Sequence, residues 1–166
     1  MDFSRRNFLR GRTSRGTPPL RPPGVQEADV DAHCTTCGAC MDACPTGIII
    51  RGEAGLPEIS FEDGECTFCD ACAHVCPEPV FSSLPSVAGF GHSLLIADQC
   101  LAARGTYCQS CADACPQSAL HFSPRLGGVP LPRLDSDLCT GCGACVSSCP
   151  VRAIGIVCHD SEAVHA

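Results

Sequence analysis

The sequence predicts an α+β protein in which one small structural unit occurs twice, behind an N-terminal arm. Three observations lead to this prediction. Cysteine accounts for 17 of the 166 residues, whereas Trp is absent and Tyr occurs once. Most of the cysteines recur in four blocks with a period of roughly 35 residues. Short apolar segments flank the blocks, and glycine-rich turns separate these segments. We therefore expect cross-links through cysteine, rather than a large aromatic core, to stabilise the chain.

Every block ends in Cys-Pro, and three of the four blocks share one spacing, C-x2-C-x2-C-x3-C-P. In the third block the first interval is seven residues long, Leu101–Tyr107, instead of two. Cys158 lies outside the pattern, and we interpret it as a surplus thiol. The cysteines of the blocks are Cys34, Cys37, Cys40 and Cys44; Cys66, Cys69, Cys72 and Cys76; Cys100, Cys108, Cys111 and Cys115; and Cys139, Cys142, Cys145 and Cys149.

Each block predicts a short helix between two strands. The third and fourth cysteines of a block are four residues apart, a spacing that places them on one face of a helical turn. The proline that follows ends the turn. Apolar segments after the Cys-Pro pairs, and before blocks two to four, are typical of short strands. These segments are Gly47–Ile50, Val80–Phe81, Ala119–Phe122 and Ala153–Val157, and Pro57–Phe61, Leu94–Ala97 and Leu131–Leu134.

The spacing of the cysteines indicates ligands for [4Fe–4S] clusters. One cluster needs four thiolates, and in a C-x2-C-x2-C-x3-C-P run the first three hold one cluster while the fourth holds another. The blocks therefore predict four clusters, or three if the long interval leaves Cys100 unable to bind. Pairing block one with two and block three with four would give two tandem bacterial-ferredoxin-like units. Pairing one with four and two with three would give a nested arrangement; the spacings fit either, and we favour the tandem one.

Other cysteine chemistry fits the pattern less well. Zinc ribbons use C-x2-C pairs separated by a longer span and need no third cysteine. A disulfide framework would need an export signal, and thioredoxin-like C-x-x-C chemistry does not explain triplets. The six histidines are scattered and are interpreted as structural or surface residues. Since we find neither a catalytic constellation nor a nucleotide-binding glycine loop, we expect a protein that moves electrons or binds partners, not an enzyme.

The charge pattern predicts a basic arm on an acidic body. Residues 1–28 contain six arginines and two carboxylates, whereas residues 29–166 contain five arginines and sixteen carboxylates. An acidic body argues against nucleic acid as a partner, and no apolar run is long enough for a membrane-spanning helix. Arg5 and Arg6 lie in a segment similar to a twin-arginine export motif. Because no apolar run follows it, we expect a docking arm that stays in the cytoplasm.

These features give the predicted boundaries. Residues 1–28 form an extended or disordered arm, residues 29–87 a ferredoxin-type unit with blocks one and two, residues 88–158 a second unit with blocks three and four, and residues 159–166 a tail. Each cluster would cross-link two halves of its unit, so that the free energy of metal binding would also stabilise the fold.

Several segments carry a resemblance that runs nearly end to end. They are Asp2-Phe3-Ser4-Arg5-Arg6, Arg21-Pro22-Pro23, Glu65-Cys66-x-Phe68-Cys69, Cys100-Leu101-Ala102 and Cys139-x-Gly141-Cys142-Gly143-Ala144-Cys145. With them the chain resembles the NapF family, the ferredoxin-type proteins of the periplasmic nitrate reductase system. The resemblance implies a cytoplasmic iron–sulfur accessory protein that contacts the molybdenum-containing catalytic subunit before export. There it would assist maturation by supporting that subunit's iron–sulfur centre.

The same resemblance makes Arg5 and Arg6 natural candidates for recognising this partner. A second function stays open, that of an electron-transfer ferredoxin subunit feeding electrons to a reductase. Both functions would use the same sixteen cysteines as ligands, and deletion of the arm would separate them.

Overall fold

The structure, a computed structural model, describes residues 19–81, 90 and 92–158. Its elements are short, and each half contains both helices and antiparallel pairs of strands, in agreement with the α+β prediction. In chain order they are α1 Glu27–His33, α2 Ala39–Asp42, β1 Ile49–Arg51, a 3-10 turn Glu53–Gly55, β2 Pro57–Ile59, α3 Ala71–Val75, β3 His92–Ile96, α4 Ser110–Asp113, β4 Leu120–Ser123, β5 Leu131–Leu134, α5 Ala144–Ser147 and β6 Ile154–Cys158. None of the helices in these ranges is both long and apolar enough to cross a membrane.

An antiparallel hairpin separates the two cysteine blocks in each half of the chain. In the first half β1 pairs with β2, and Ile49 lies opposite Ile59. In the second half β4 pairs with β5, and Leu120 lies opposite Leu134. A third pair, β3 with β6, joins the segment before block three to the segment after block four. The strands at the two ends of the second half therefore pair with each other and close it.

The first half is closed differently. Phe81 was predicted to lie in a strand, and it forms a single antiparallel bridge with Val25. Helix α1 follows Val25 and buries Val30, which is 1% exposed, against Leu56 and Val80. This helix is not predictable from the sequence, because it has one buried apolar residue in seven and so no amphipathic pattern.

Residues 19–28 are folded, so disorder, one of the two alternatives predicted for the arm, is wrong for them. Arg21 is buried and forms a two-pronged ion pair with Glu27, with Nε–Oε2 and Nη2–Oε1 distances of 2.7 and 2.9 Å. Its Nη1 donates to the carbonyl of Pro57 at 2.8 Å, and the amide of Ile59 donates to the carbonyl of Leu20. Composition alone suggested disorder, but a paired guanidinium can be buried. Residues 1–18, with Arg5 and Arg6, and the tail 159–166 lie outside the described residues.

The two halves share a core. Ile48, Ile49, Ile59 and Phe61 of the first half form a buried cluster, and Val146 and Ile156 of the second half pack against it. A separate cluster in the second half contains Leu120, Cys145 and Ile154. The predicted units are thus joined by side-chain packing, which the sequence analysis did not predict.

Candidate cluster-binding sites

The cysteines of the four blocks line four cavities, with four cysteines at each. We number each site by the block that supplies three of its cysteines. Site 1 has Cys34, Cys37, Cys40 and Cys76; site 2 has Cys66, Cys69, Cys72 and Cys44; site 3 has Cys100, Cys108, Cys111 and Cys149; and site 4 has Cys139, Cys142, Cys145 and Cys115. All sixteen are free thiols in the structure.

The fourth cysteine of each site comes from the other block of the same half. Cys44 of block one lies at site 2, and Cys76 of block two lies at site 1. Likewise Cys115 lies at site 4, and Cys149 lies at site 3. The structure therefore brings the thiols together in the tandem order and not in the nested one.

In blocks one, two and four the path of the cysteine loop depends on backbone with a left-handed conformation, whereas Gln109 at this position of block three has φ −132°. Gly38 and Gly143 precede helices α2 and α5 with φ values of 87° and 83°, a region that glycine enters without steric cost. In block two Asp70 occupies the same position with φ 59°. The helix then begins at once, so that the third cysteine of the block lies within it and the fourth lies just beyond its end.

The long interval of block three does not remove Cys100 from its site. The inserted residues form turns in which the amide of Arg104 donates to the carbonyl of Cys100 at 3.0 Å. The amide of Thr106 donates to the carbonyl of Leu101, and Ala102 is 2% exposed. The insertion thus folds back on itself and leaves Cys100 in the same cavity as the other cysteines of site 3.

Amide groups donate to the sulfur of the last cysteine in several blocks. The amide of Ala119 lies 3.3 Å from Cys115 Sγ, and the amide of Ala153 lies 3.2 Å from Cys149 Sγ. After Cys76 the corresponding amide, that of Val80, donates instead to the carbonyl of Glu78 at 2.8 Å. Hydrogen bonds to cluster sulfurs tune reduction potential, so site 1 has a different electrostatic environment from sites 3 and 4.

Burial raises the pKa of several of these thiols. It raises the pKa of Cys72 to about 11 and that of Cys145 to about 12, and neighbouring cysteines add to both shifts. Burial also acts to raise the pKa of Cys44, but hydrogen bonds from Thr46 and Ile48 outweigh it and lower that pKa. Because metal ligands must be thiolates, iron must displace the protons of the buried thiols.

The donor sets fit [4Fe–4S] clusters better than single metal ions. In the ranges given above, no three His, Cys, Asp or Glu side chains converge on a point where one ion could bind. Yet four thiols surround each cavity. A cubane distributes its four thiolates over four iron atoms, whereas zinc requires all its sulfurs at about 2.3 Å from one point. Four thiols that line one cavity without converging on a single point suit a cubane better than one ion.

Two features near the sites were not predicted from the sequence. The first is Asp70, whose Oδ1 is buried beside site 2 with no hydrogen-bond partner among the described residues. Alignment of the four blocks could have revealed it, because two of them have glycine at that position. The second is contact between the ligand loops of the two halves, for which the sequence has no signal.

The comparisons with known proteins agree with the donor sets. A family model described as a 4Fe-4S dicluster domain matches residues 33–80 and 106–153. The chain is 44% identical over 155 residues to the ferredoxin-type protein NapF of Escherichia coli strain K12, an alignment that covers 93% of this chain and 94% of the relative. It is 40% identical over 164 residues to the ferredoxin-type protein NapF of Haemophilus influenzae, which covers 92% of this chain and 93% of the relative.

Proposed function

Because the chain belongs to the NapF family of ferredoxin-type proteins, we propose that it is a cytoplasmic iron–sulfur accessory protein of the periplasmic nitrate reductase system. It binds the catalytic subunit of the reductase before export and supports maturation of that subunit's iron–sulfur centre. In this role it has no catalytic reaction of its own. The observation that carries the proposal is the division of sixteen cysteines into four sites of four thiols.

In this proposal each site holds one [4Fe–4S] cluster, so that the chain carries four. A bound cluster supplies one-electron redox chemistry. The cysteines hold it as thiolates, and the amides of Ala119 and Ala153 donate to ligand sulfurs. Apolar side chains such as Ile48 and Ile59 line site 2 and keep water from one side of it.

Exposure of two ligands supports a role in which a partner comes close to a cluster. Cys37 of site 1 and Cys69 of site 2 are exposed, whereas Cys145 of site 4 is buried. A partner that docks on the first half would therefore reach sites 1 and 2 first. The arginine-rich segment that precedes this half would guide docking through Arg5 and Arg6.

The proposal is tested with arginine variants of the arm in cells that make the reductase. Arg5→Ala together with Arg6→Ala is compared with Arg12→Ala together with Arg15→Ala, which removes the same charge from the same segment. We expect the first pair alone to leave the reductase subunit inactive and poor in iron and sulfide. A fully loaded subunit in both strains would contradict the proposed recognition role, and one that is loaded even when the whole gene is deleted would contradict the maturation role.

A second function, electron delivery to a reductase, is favoured by the close contact of sites 2 and 4 described below. In that case deletion of the gene would leave the reductase fully loaded with iron, and nitrate reduction would fall only when electrons come from the natural donor. An artificial donor such as reduced viologen would restore it. The iron content of the purified subunit separates the two functions.

A further inference from the structure

The ligand loops of sites 2 and 4, which belong to different halves of the chain, are in direct contact. The amide of Cys66 donates to the carbonyl of Cys142 at 2.8 Å. Cys66 lines site 2, and Cys142 lines site 4. One backbone hydrogen bond therefore connects a candidate ligand of one half to a candidate ligand of the other.

Two glycines make this approach possible. A Cβ atom on Gly143 would lie 2.2 Å from ring atoms of Phe61, and one on Gly141 would lie 2.7 Å from Nε2 of His92. Both distances are far below van der Waals contact, so only glycine leaves room for the ring of Phe61 and for His92. Next to them the amide of Phe90 donates to the carbonyl of Thr140 at 3.0 Å.

Aromatic side chains pack at the contact. Phe61 is 4% exposed, and its ring meets that of Phe90 edge to face with the centroids 5.7 Å apart. Phe68, in the ligand loop of site 2, lies 5.8 Å from Phe90 by the same measure. An edge-to-face aromatic group of this kind holds a fixed geometry. We call the contact of Cys66, Phe61, Phe90 and His92 with the loop of Cys142 the junction.

The junction gives the four sites a linear order. Sites 1 and 2 exchange their fourth cysteines, and so do sites 3 and 4. The junction connects site 2 to site 4. The order along the protein is therefore 1, 2, 4, 3, which differs from the order of the blocks along the chain and leaves sites 1 and 3 at the ends.

We propose that the junction is an electron path that joins the two halves into a single four-site relay. The proposal rests on the proposed function in one respect, that the sites hold clusters. Electron exchange between metal centres falls steeply with distance, and it is faster through covalent and hydrogen-bonded atoms than across a gap. The path runs from Cys66 Sγ along its side chain to its amide, across to the carbonyl of Cys142, and on to Cys142 Sγ.

The electron balance of this step is simple. A low-potential one-electron donor, dithionite in the experiment, reduces a cluster in one half by one electron. Transfer across the junction oxidises that cluster by one electron and reduces a cluster in the other half by one. No covalent bond forms or breaks, and no proton needs to move.

The test widens the junction with Gly143→Ala, whose new methyl group must displace the ring of Phe61. The matched control is Gly38→Ala. Gly38 has the same place in block one and nearly the same φ, 87° against 83°, but its Cβ would meet only the end of the flexible Arg51 side chain, at 3.2 Å. Both variants carry the same backbone strain next to a ligand loop, and only one of them opens the junction.

The full chain is purified without oxygen, reduced with dithionite and examined by electron paramagnetic resonance. We expect Gly143→Ala to lose the part of the spin–spin interaction that passes between the halves, while Gly38→Ala retains it at equal iron content. Hydrogen exchange at the amide of Cys66 should become faster in Gly143→Ala only. If Gly143→Ala exchanges faster at Cys66 yet keeps the wild-type spectrum, the proposal is wrong.

If Gly143→Ala loses iron, a second variant, on the other side of the junction, is used instead. Phe61→Leu keeps most of the buried volume and removes the ring that contacts Gly143. If Phe61→Leu has full iron content and loses the spin–spin interaction between the halves, the proposal is supported. If its spectrum is unchanged, the proposal is contradicted. The experiment needs no reductase. A wild-type chain without iron would contradict the proposed function, whereas a fully loaded chain without interaction between the halves contradicts the junction alone.

Discussion

The two halves of the molecule carry the same cysteine framework and close it in different ways. In the second half a five-residue ladder, β3 with β6, joins the two ends of the half. Among the described residues of the first half, one bridge between Val25 and Phe81 has the place of this ladder, and helix α1 and the buried ion pair of Arg21 contribute to the closure. The cysteine sites are nevertheless built alike. Ligand spacing therefore determines the sites, and the means of closing the chain around them can vary.

The ligand loops also differ from block to block, although the sites are built alike. Block three has an insertion of five residues relative to the others, yet Cys100 still lines site 3. Block two keeps the standard spacing but has Asp70 where blocks one and four have glycine. The insertion between ligands is accommodated by turns, and Leu101 is its one residue among those that line the cavity, whereas the substitution in block two changes the charge next to the site.

Removal of iron is expected to abolish the difference between the halves, because it unfolds both. Metal binding contributes on the order of 10 kcal/mol to the folding of small metal domains, which is comparable with the whole stability of a small domain. Far-ultraviolet circular dichroism of the chelated protein should lose its ordered signal, and amide exchange should become fast in both halves. A chelated protein with native amide protection in either half would contradict this prediction.

In the second half, Cys100→Ser tests whether the block with the long interval supplies four ligands. If Cys100 is a ligand, the variant should lose about four iron atoms per chain or keep a three-iron centre at site 3, with the other sites unchanged. Iron and acid-labile sulfide analysis with paramagnetic resonance would measure this. Cys158→Ser is the control and should retain the wild-type content. A full iron count in Cys100→Ser would show that the long interval supplies no ligand.

The parts of the structure that the sequence could predict are those with a local cause. The sixteen cysteines, the short helices that begin within the blocks, and the short strands with turns between the blocks follow from spacing and turn residues. Strand β2 was predicted at Pro57–Phe61 and is found at Pro57–Ile59. These elements depend on neighbours within a few residues, which a single sequence contains.

The parts that could not be predicted depend on distant partners. Arg21 looked like one more charge in a basic arm, because its pairing with Glu27 and Pro57 is visible only in three dimensions. Helix α1 has a single buried residue, Val30, and gains its stability from packing rather than from its own pattern. At the junction Phe61 packs against Gly143, which is far from it in sequence. Neither position is distinctive in the sequence by itself.

The closure of the first half is tested by Arg21→Ala. The variant leaves the Pro57 carbonyl without its donor and removes the ion pair with Glu27, which is itself partly exposed. We expect a loss of about 2 kcal/mol in the free energy of unfolding, with faster iron release from sites 1 and 2 only. Arg133→Ala, on the exposed face of β5, is the control. Chelator-induced iron loss, resolved by the spectra of the sites, would measure this, and equal loss from both halves would contradict a local role for Arg21.

The smallest expected effect concerns the charge beside site 2. Asp70 lies in the ligand loop with φ 59° and a buried Oδ1, whereas Gly143 at the same position of site 4 has no charge. A negative charge near a cluster disfavours the addition of an electron, since net charge helps to set cluster potentials. Asp70→Asn keeps the shape of the side chain and removes its charge, so we expect one cluster to become easier to reduce.

A redox titration followed by paramagnetic resonance would measure that shift, with Asp113→Asn as the control. Asp113 is the last residue of α4, the helix that contains Cys111 of site 3. It is exposed, so water and salt screen its charge. We expect the potential of one cluster to rise in Asp70→Asn and all potentials to stay constant in Asp113→Asn. Equal behaviour of the two variants would mean that the carboxylate of Asp70 is as well screened as an exposed one.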